Sequence, residues 1–330
     1  MTSKVEMIKN VIEDQQRLFD APFINDYPEL KGIIQQMIHG TKARKSIKLY
    51  KYLMEAFLYT GGSDQSNEGH YRKQKNKPTF NKIRKALLAA ECPKLVCFET
   101  FKNCGYRKMA RTCNNPELIE TCPLPKFDMK RGTLNQMVFS LYFFLRDVCQ
   151  NDFYQFVQAH FDQGKKECYQ VKGQVENFIQ VFSQVYNVGP KLIDMAFSHL
   201  FFTQYPGWDY RTVGAEMVAI DTLVHNFLAR TGTLDEYKKF HKYGLACHTQ
   251  KGCLGVIEEI AQEIDCRKYN KEYPAYFPRL VQLYIWAYCS MTGENICNGN
   301  KCKQSKPNRE CELYTRNWCM PFICPEGELT

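Results

Sequence analysis

The sequence predicts an all-α protein, and three observations lead to that fold class. Apolar residues recur at helical spacing along most of the 330-residue chain. No convincing run of alternating apolar and polar residues indicates a strand, and no internal repeat is present. A Val-Gly-Pro-Lys turn at positions 188–191 joins two amphipathic runs, as expected for a hairpin of helices. The length allows two lobes, or one core with large terminal additions.

The hairpin is the most informative stretch. Apolar residues at helical spacing predict a first helix over residues 174–186, and a second helix begins after the turn. Such a turn needs backbone positions with positive φ, so we expect Gly189 and Asn187 at the two bends. Pro190 suits a first helical position because its missing N–H is not needed there. The N–H groups at this helix start could bind a phosphate, although a plain helical hairpin has the same pattern.

A lysine and an aspartate follow the turn. Lys191 completes Val-Gly-Pro-Lys, and Asp221 lies in Val-Ala-Ile-Asp-Thr-Leu-Val-His, where it also suits the N-cap of a further helix. Together these segments resemble the core of the helix-hairpin-helix DNA glycosylases. The resemblance implies a two-lobed helical fold in which Lys191 forms a Schiff base with C1′ of the sugar and Asp221 supports the developing charge. Lys191 could instead be a solvated lysine that contacts phosphate.

Two departures from the family leave alternatives open. The family usually has Leu-Pro-Gly before Val-Gly, whereas this chain has Val-Tyr-Asn, and the interval between Lys191 and Asp221 is longer than expected. We interpret residues 205–217 as an insertion; without it, Asp209 becomes the competing acid. The run that begins at Gly132 resembles the helix that opens the catalytic domain, where Asn135 or Gln136 would fill the space of an extruded base.

Positive charge is concentrated near the N-terminus. Residues 1–110 contain 20 Lys and Arg against 11 Asp and Glu, whereas the rest of the chain is balanced at 24 against 24. The run from position 70 to 85 contains no acid and includes Tyr71 and Phe80, a pattern that indicates contact with nucleic acid. A solvated surface loop is the alternative. The residues predicted to contact DNA are Asn187, Val188, Gly189, Pro190, Gln136, Arg72, Lys73, Lys75 and Lys77.

Sixteen cysteines favour metal or cluster ligation, or free thiols, because no secretory signal is evident. The resemblance to endonuclease-III-type glycosylases implies a 4Fe–4S cluster near the C-terminus, with zinc as the alternative. The cysteine intervals differ from the short spacing of that family, so position and number support the assignment. The predicted ligands are Cys289, Cys297, Cys302 and Cys311. A second group is possible, namely Cys97, Cys104, Cys113 and Cys122. His248 is expected to be uninvolved.

These observations predict three segments. Residues 1–128 would form a basic, cysteine-containing helical region, residues 129–245 the glycosylase-like core, and residues 246–330 a helical region with the cluster loop. The expected function is removal of a damaged or modified base from duplex DNA, with strand cleavage as a possible second activity. A transferase of the phage thymine-modifying type and a non-catalytic DNA-binding module are the alternatives. No transmembrane segment and no signal peptide are expected, so the sequence favours the cytoplasm, the nucleoid or the nucleus over secretion. The protein is expected to be a monomer.

Overall fold

The computed structural model describes residues 3–16, 27–42, 44–57, 64–102, 104, 117–119, 122–129, 132–166 and 171–290. Within these ranges the regular structure is helical, and the one pairing of β type is an isolated antiparallel bridge between Tyr205 and Trp208. The predicted all-α class is therefore confirmed for the described residues. None of their helices has both the length and the apolarity that crossing a bilayer requires.

The described residues form two compact units that are discontinuous in sequence. Unit 1 takes its described residues from Met1–Asp26, Phe197–Thr203 and Tyr210–Thr330, and unit 2 from Tyr27–Ala196 and Gln204–Asp209. The three segments predicted from the sequence do not coincide with these units, because residues 129–245 contribute to both.

Unit 2 is built from consecutive amphipathic helices. They are α2 Pro28–His39, α3 Lys45–Phe57, α4 Asp64–Lys73, α5 Phe80–Leu88, α6 Phe98–Lys102, α7 Gly132–Phe143, α8 Phe153–Lys166, α9 Val171–Phe182 and the first half of α10 Pro190–Phe202. Local signals explain several of their starts. Proline occupies the beginning of α2, and the Thr79 hydroxyl caps α5 by accepting from the Lys82 N–H at 3.3 Å.

An aromatic core holds unit 2 together. The Phe182 ring lies 6.1 Å from Phe57 and 4.7 Å from Phe144, and Phe144 in turn lies 5.5 Å from Phe98. All four side chains are almost fully buried. Truncating a buried Phe of this kind to Ala costs about 3–5 kcal/mol. The C-terminal end of α9, just before the hairpin turn, is therefore firmly packed.

Helix α7 ends in a π-helical turn, Phe144–Val148, followed by two left-handed residues. Gln150 has a φ of 52° and Asn151 a φ of 57°. Wide turns of this kind change the direction of the chain. The buried face of α7 is preserved through the turn, since Phe144 and Leu145 are both inaccessible to solvent.

Unit 1 contains the N-terminal helix and most of the described chain from Phe197 onward. Its helices are α1 Lys4–Gln16, the second half of α10, α11 Arg211–Glu216, α12 Thr222–Arg230, α13 Thr233–Glu236, α14 Cys253–Gln262 and α15 Pro278–Cys289. Helix α1 packs against α15. The Phe202 and Phe277 rings stack at 4.8 Å, which joins the end of α10 to the start of α15.

Helix α12 lies in the middle of unit 1. Every residue from Val224 to Arg230 is buried, and the preceding segment, residues 217–220, is buried as well. Its contacts include α15, where Phe227 meets Tyr288 edge to face at 6.1 Å. The Lys4 ammonium donates to the Thr231 carbonyl at 2.5 Å and covers the C-terminal end of α12. Helix α12 thus has little freedom to move without disturbing the core.

Candidate functional site

The hairpin turn has one of its two predicted bends. Asn187 adopts a left-handed conformation with a φ of 59°, as expected. Helix α9 ends at Phe182, four residues earlier than predicted, and further turns follow. The N–H of Tyr186 donates to the buried Ser140 hydroxyl at 2.9 Å, and the Lys102 ammonium donates to the Gln184 amide oxygen at 2.7 Å. These contacts anchor the turn to α7 and α6.

Gly189 does not provide the second bend, because its φ is not positive. The expectation of a left-handed glycine at this position was wrong; Asn187 is the residue of this turn that has a positive φ. A methyl group at Gly189 would meet no atom within 4 Å. Neither backbone conformation nor internal packing therefore requires glycine here. The open space leaves room for an external group to approach the backbone.

Helix α10 starts at Pro190, as predicted, and Lys191 lies in its first turn. The carbonyl of Gly189 accepts from the N–H groups of Leu192 and Ile193 at 3.0 and 3.2 Å, which forms the first turn. Val188 is buried, whereas Lys191 is half-buried. The turn thus presents a lysine at the positive end of a 13-residue helix.

Asp221 caps α12, as expected from its place before an apolar run. Its Oδ1 accepts from the Val224 N–H at 3.0 Å, with φ −124° and ψ −177°. The side chain is half-buried and is the first polar one after the buried segment 217–220. Asp221 belongs to unit 1 and Lys191 to unit 2. Asp209, the competing acid, is an exposed residue of unit 2.

The basic run lies at the end of α4 and in the segment leading to α5. Arg72, Lys73 and Lys75 are exposed. Lys77 is half-buried, with its ammonium 3.9 Å from the centre of the Tyr71 ring, and Tyr71 donates to the Glu55 carboxylate at 2.5 Å. Lys77 is therefore held against its own unit by a cation–π contact. The other three basic side chains extend toward solvent in the unit that carries the hairpin turn.

The two polar candidates on α7 are both buried. Asn135 is 1% exposed, and its amide oxygen accepts from the Phe127 N–H at 2.8 Å while its amide nitrogen donates to the Phe127 carbonyl at 3.3 Å. It therefore supports the backbone before α7. Gln136 is 2% exposed, so it would have to be uncovered before it could fill the space of an extruded base. That role for Gln136 stays a prediction.

The predicted cluster ligands fall mostly outside the described residues. Cys289 is the buried last residue of α15, at the expected end of a helix. Cys297, Cys302 and Cys311 lie outside the described ranges, as does Cys113 of the alternative group. The cluster at the C-terminal cysteines therefore stays a prediction.

Four side chains of unit 1 form a separate group that could hold a metal ion. They are His225, His241, Cys247 and Cys253, called here the His–Cys group. One donor atom from each, a ring nitrogen or a sulfur, lies within 4.8 Å of the other three. Both cysteines and His225 are buried, whereas His241 is half-buried.

The nitrogen–sulfur distances within the group are nearly equal. Nδ1 of His225 lies 3.3 Å from the Cys253 sulfur and 3.5 Å from the Cys247 sulfur. Nε2 of His241 lies 3.3 Å from the Cys247 sulfur and 3.5 Å from the Cys253 sulfur. Each imidazole therefore faces both sulfurs, as the corners of a tetrahedron do.

A backbone contact fixes the ring of His241. Its Nδ1 lies 2.7 Å from the Lys239 carbonyl. A carbonyl can only accept a hydrogen bond, so Nδ1 carries the proton and, in the neutral ring, the lone pair of Nε2 points at the sulfurs. Metal-binding histidines commonly have this arrangement. The His225 ring packs edge to face against Tyr243, with centroids 5.7 Å apart.

The Cys247 sulfur is placed where a thiolate is stabilised, whereas the Cys253 sulfur keeps its proton. The Cys253 thiol, the two imidazoles and the Gly244 N–H at 3.5 Å surround the Cys247 sulfur, and these hydrogen bonds lower the pKa of Cys247. The proton shared with Cys247, together with burial, raises the pKa of Cys253. Cys253 is also the first residue of α14, where the helix dipole favours negative charge.

Close backbone packing shapes the loop that carries both cysteines. A methyl group at Gly252 would lie 1.9 Å from the Ala246 carbonyl oxygen, and one at Gly255 would lie 2.1 Å from the Gln250 carbonyl oxygen. Both positions therefore require glycine for lack of space. The loop is preorganised around Cys247 and Cys253.

Sequence reasoning assigned none of these four residues. The predicted ligands came from the dense cysteine groups, and His248, which follows Cys247 directly, is not a member of the His–Cys group. A usable signal was present, since His241, Cys247 and Cys253 are separated by equal intervals of five residues. The fourth member, His225, is one helical turn after Asp221 on α12.

The chain was compared with protein-family models, with curated proteins and with solved structures, and none of the three comparisons found a match. The resemblance noted from the sequence therefore depends on the residues themselves.

Proposed function

We propose that this protein binds duplex DNA through the α9–α10 hairpin and removes a damaged or modified base, as the helix-hairpin-helix DNA glycosylases do. The observation that carries this proposal is the turn itself. Asn187 has a left-handed conformation, Gly189 leaves open space, and Pro190 begins a long helix. A phosphate of the DNA backbone is the group that such a helix start favours.

The exposed basic residues support a DNA partner. Arg72, Lys73 and Lys75 extend from the unit that contains the hairpin, and the chain carries a net charge of +9. Contacts of this kind bind phosphates without reading sequence, so affinity should fall steeply as salt concentration rises. In this proposal the hairpin and the basic run bind the backbone, and base choice depends on a pocket that receives the flipped nucleotide.

The proposed chemistry assigns one role to each predicted catalytic residue. The Lys191 amine attacks C1′ of the flipped nucleotide, the glycosidic bond breaks, and the base leaves with the bonding electrons and takes up a proton. The amine nitrogen then gives up a proton, the C1′–O4′ bond of the sugar ring breaks and O4′ takes up a proton, which gives a Schiff base; elimination of the 3′ phosphate from this Schiff base can break the strand. Asp221 supports the positive charge that develops on the sugar. Such an enzyme would act as a monomer on DNA in the cytoplasm, at the nucleoid, or in the nucleus.

Borohydride trapping on a panel of duplexes, each with one altered base, tests this function. The wild-type chain should form a covalent adduct with one of them, and Lys191→Gln should abolish it. Lys172→Gln is a matched control because it removes a lysine from the first turn of α9 in the same hairpin. Undiminished trapping in Lys191→Gln would overturn the assignment of the nucleophile.

Further outcomes separate the alternatives. Base release without an adduct would indicate a glycosylase that does not cleave the strand. A change in the mass of the base without its release would indicate a transferase. Salt-dependent binding with neither reaction on any duplex would indicate a non-catalytic DNA-binding module and would overturn the enzymatic proposal.

A further inference from the structure

We propose that the His–Cys group binds one structural zinc ion, at a site distinct from the cluster predicted at the C-terminal cysteines. Zinc–sulfur bonds of about 2.3 Å and zinc–nitrogen bonds of about 2.0–2.1 Å at tetrahedral angles give nitrogen–sulfur edges of about 3.6 Å. The four observed edges are 3.3, 3.5, 3.3 and 3.5 Å. One ion at the centre accounts for all four.

The charges of the site also fit a divalent ion. Two thiols lose one proton each on binding, and the two imidazoles bind in their neutral form. The product is therefore neutral, because two thiolates balance one dication, and no uncompensated charge is buried. The hydrogen bond from His241 Nδ1 to the Lys239 carbonyl already holds one imidazole as a ligand requires.

The donor set identifies both the ion and its role. Two nitrogens and two sulfurs in a tetrahedron favour zinc among the common biological metals. All four positions are filled by protein atoms, so no position is left for water or substrate, and an ion held in this way stabilises structure. The ion would join α12, through His225, to the loop between His241 and Cys253.

This connection bears on the candidate acid. Asp221 caps α12 one turn before His225, so the ion would hold the end of the helix at which Asp221 lies. The effect of the ion on Asp221 matters for activity only if the proposed function is correct, whereas the zinc site does not depend on that function. Loss of the metal should therefore displace Asp221 without removing any group proposed to touch DNA.

Metal analysis of the full-length chain, purified without oxygen, tests the site. Wild-type protein should contain one more zinc equivalent per chain than either Cys253→Ser or His241→Asn. The matched controls, Cys266→Ser and His248→Asn, replace a cysteine and a histidine of the same unit outside the group and should keep that zinc. Equal zinc in wild type and both ligand variants would overturn the proposal, as would a disulfide between Cys247 and Cys253.

A second measurement covers ligand variants that fail to fold. Cobalt exchanged into the wild-type chain should show the intense visible absorption of tetrahedral coordination and a thiolate charge-transfer band. Weak octahedral absorption would overturn the site. Iron content distinguishes the cluster, because Cys302→Ser should lower iron and leave this zinc unchanged. Neither readout requires DNA, so the zinc site can fail or succeed independently of the glycosylase activity.

Discussion

Substitution of Asp221 separates its structural role from its proposed chemical role. The Oδ1 atom accepts one hydrogen bond from the Val224 N–H at 3.0 Å, and Asp221→Ala removes it. Loss of such a cap costs about 0.5–2 kcal/mol, which lowers the melting temperature of a chain of this size by roughly 1–3 °C. Asp221→Asn retains an oxygen acceptor, so its melting temperature should stay near that of the wild type.

Activity should respond differently. Both variants remove the negative charge, and losing a group that stabilises charge at a reaction centre costs about 2.7–4 kcal/mol, or about 100-fold or more in rate. Circular dichroism gives the melting temperature, and single-turnover base release on the substrate duplex gives the rate. Asp209→Asn is the control, since Asp209 is the competing acid and is exposed.

Two results would refute this reasoning. A normal rate in Asp221→Asn combined with a large loss in Asp209→Asn would show that Asp209 is the acid. Equal loss of stability in the Asn and Ala variants would show that the cap does not act through the side-chain acceptor.

Of three further predictions, two concern stability and one concerns the rate of zinc loss. Asn135→Leu leaves the Phe127 N–H without its buried partner, while the Phe127 carbonyl keeps the Met129 N–H, so it should lower the free energy of unfolding by about 1–3 kcal/mol in urea denaturation, and an unchanged free energy of unfolding would contradict this. Burial, with help from a nearby arginine, lowers the pKa of His199 to about 3. The unfolded chain therefore takes up this proton first as the pH falls below about 6.5, and stability should drop by up to about 1.4 kcal/mol per pH unit toward pH 3. An unchanged pH profile in His199→Asn would refute that origin. Gly252→Ala places a methyl group against the Ala246 carbonyl, so it should displace the cysteine loop and speed zinc loss to a chelator, whereas wild-type kinetics would show that the loop can relax.

Features determined by a few neighbouring residues could be predicted from the sequence. Helical periodicity predicted the all-α class, Pro190 marked the start of α10, and Asp221 was expected to cap α12. Asn187 was expected at a bend and has a positive φ. Each depends on interactions within about one helical turn, or on the conformational preference of a single residue, and a linear pattern records both.

Features that depend on packing could not be predicted from the sequence in this way. The sequence predicted a bend at Gly189, but its φ is not positive, and nothing in the sequence indicated that Gln136, predicted to fill the space of an extruded base, is buried on α7. The buried face of a helix in the middle of a core depends on neighbours far away in sequence. The two discontinuous units likewise depend on which helices pack together.

The His–Cys group shows the difference most clearly. Its residues lie on α12, in the loop after α13, in a short helical turn and at the start of α14. Their residue types, and the equal spacing of His241, Cys247 and Cys253, were visible in the sequence. Only the tertiary structure decided that two imidazoles and two sulfurs converge on one point, because that convergence requires α12 to be buried beside a loop whose close turns depend on Gly252 and Gly255.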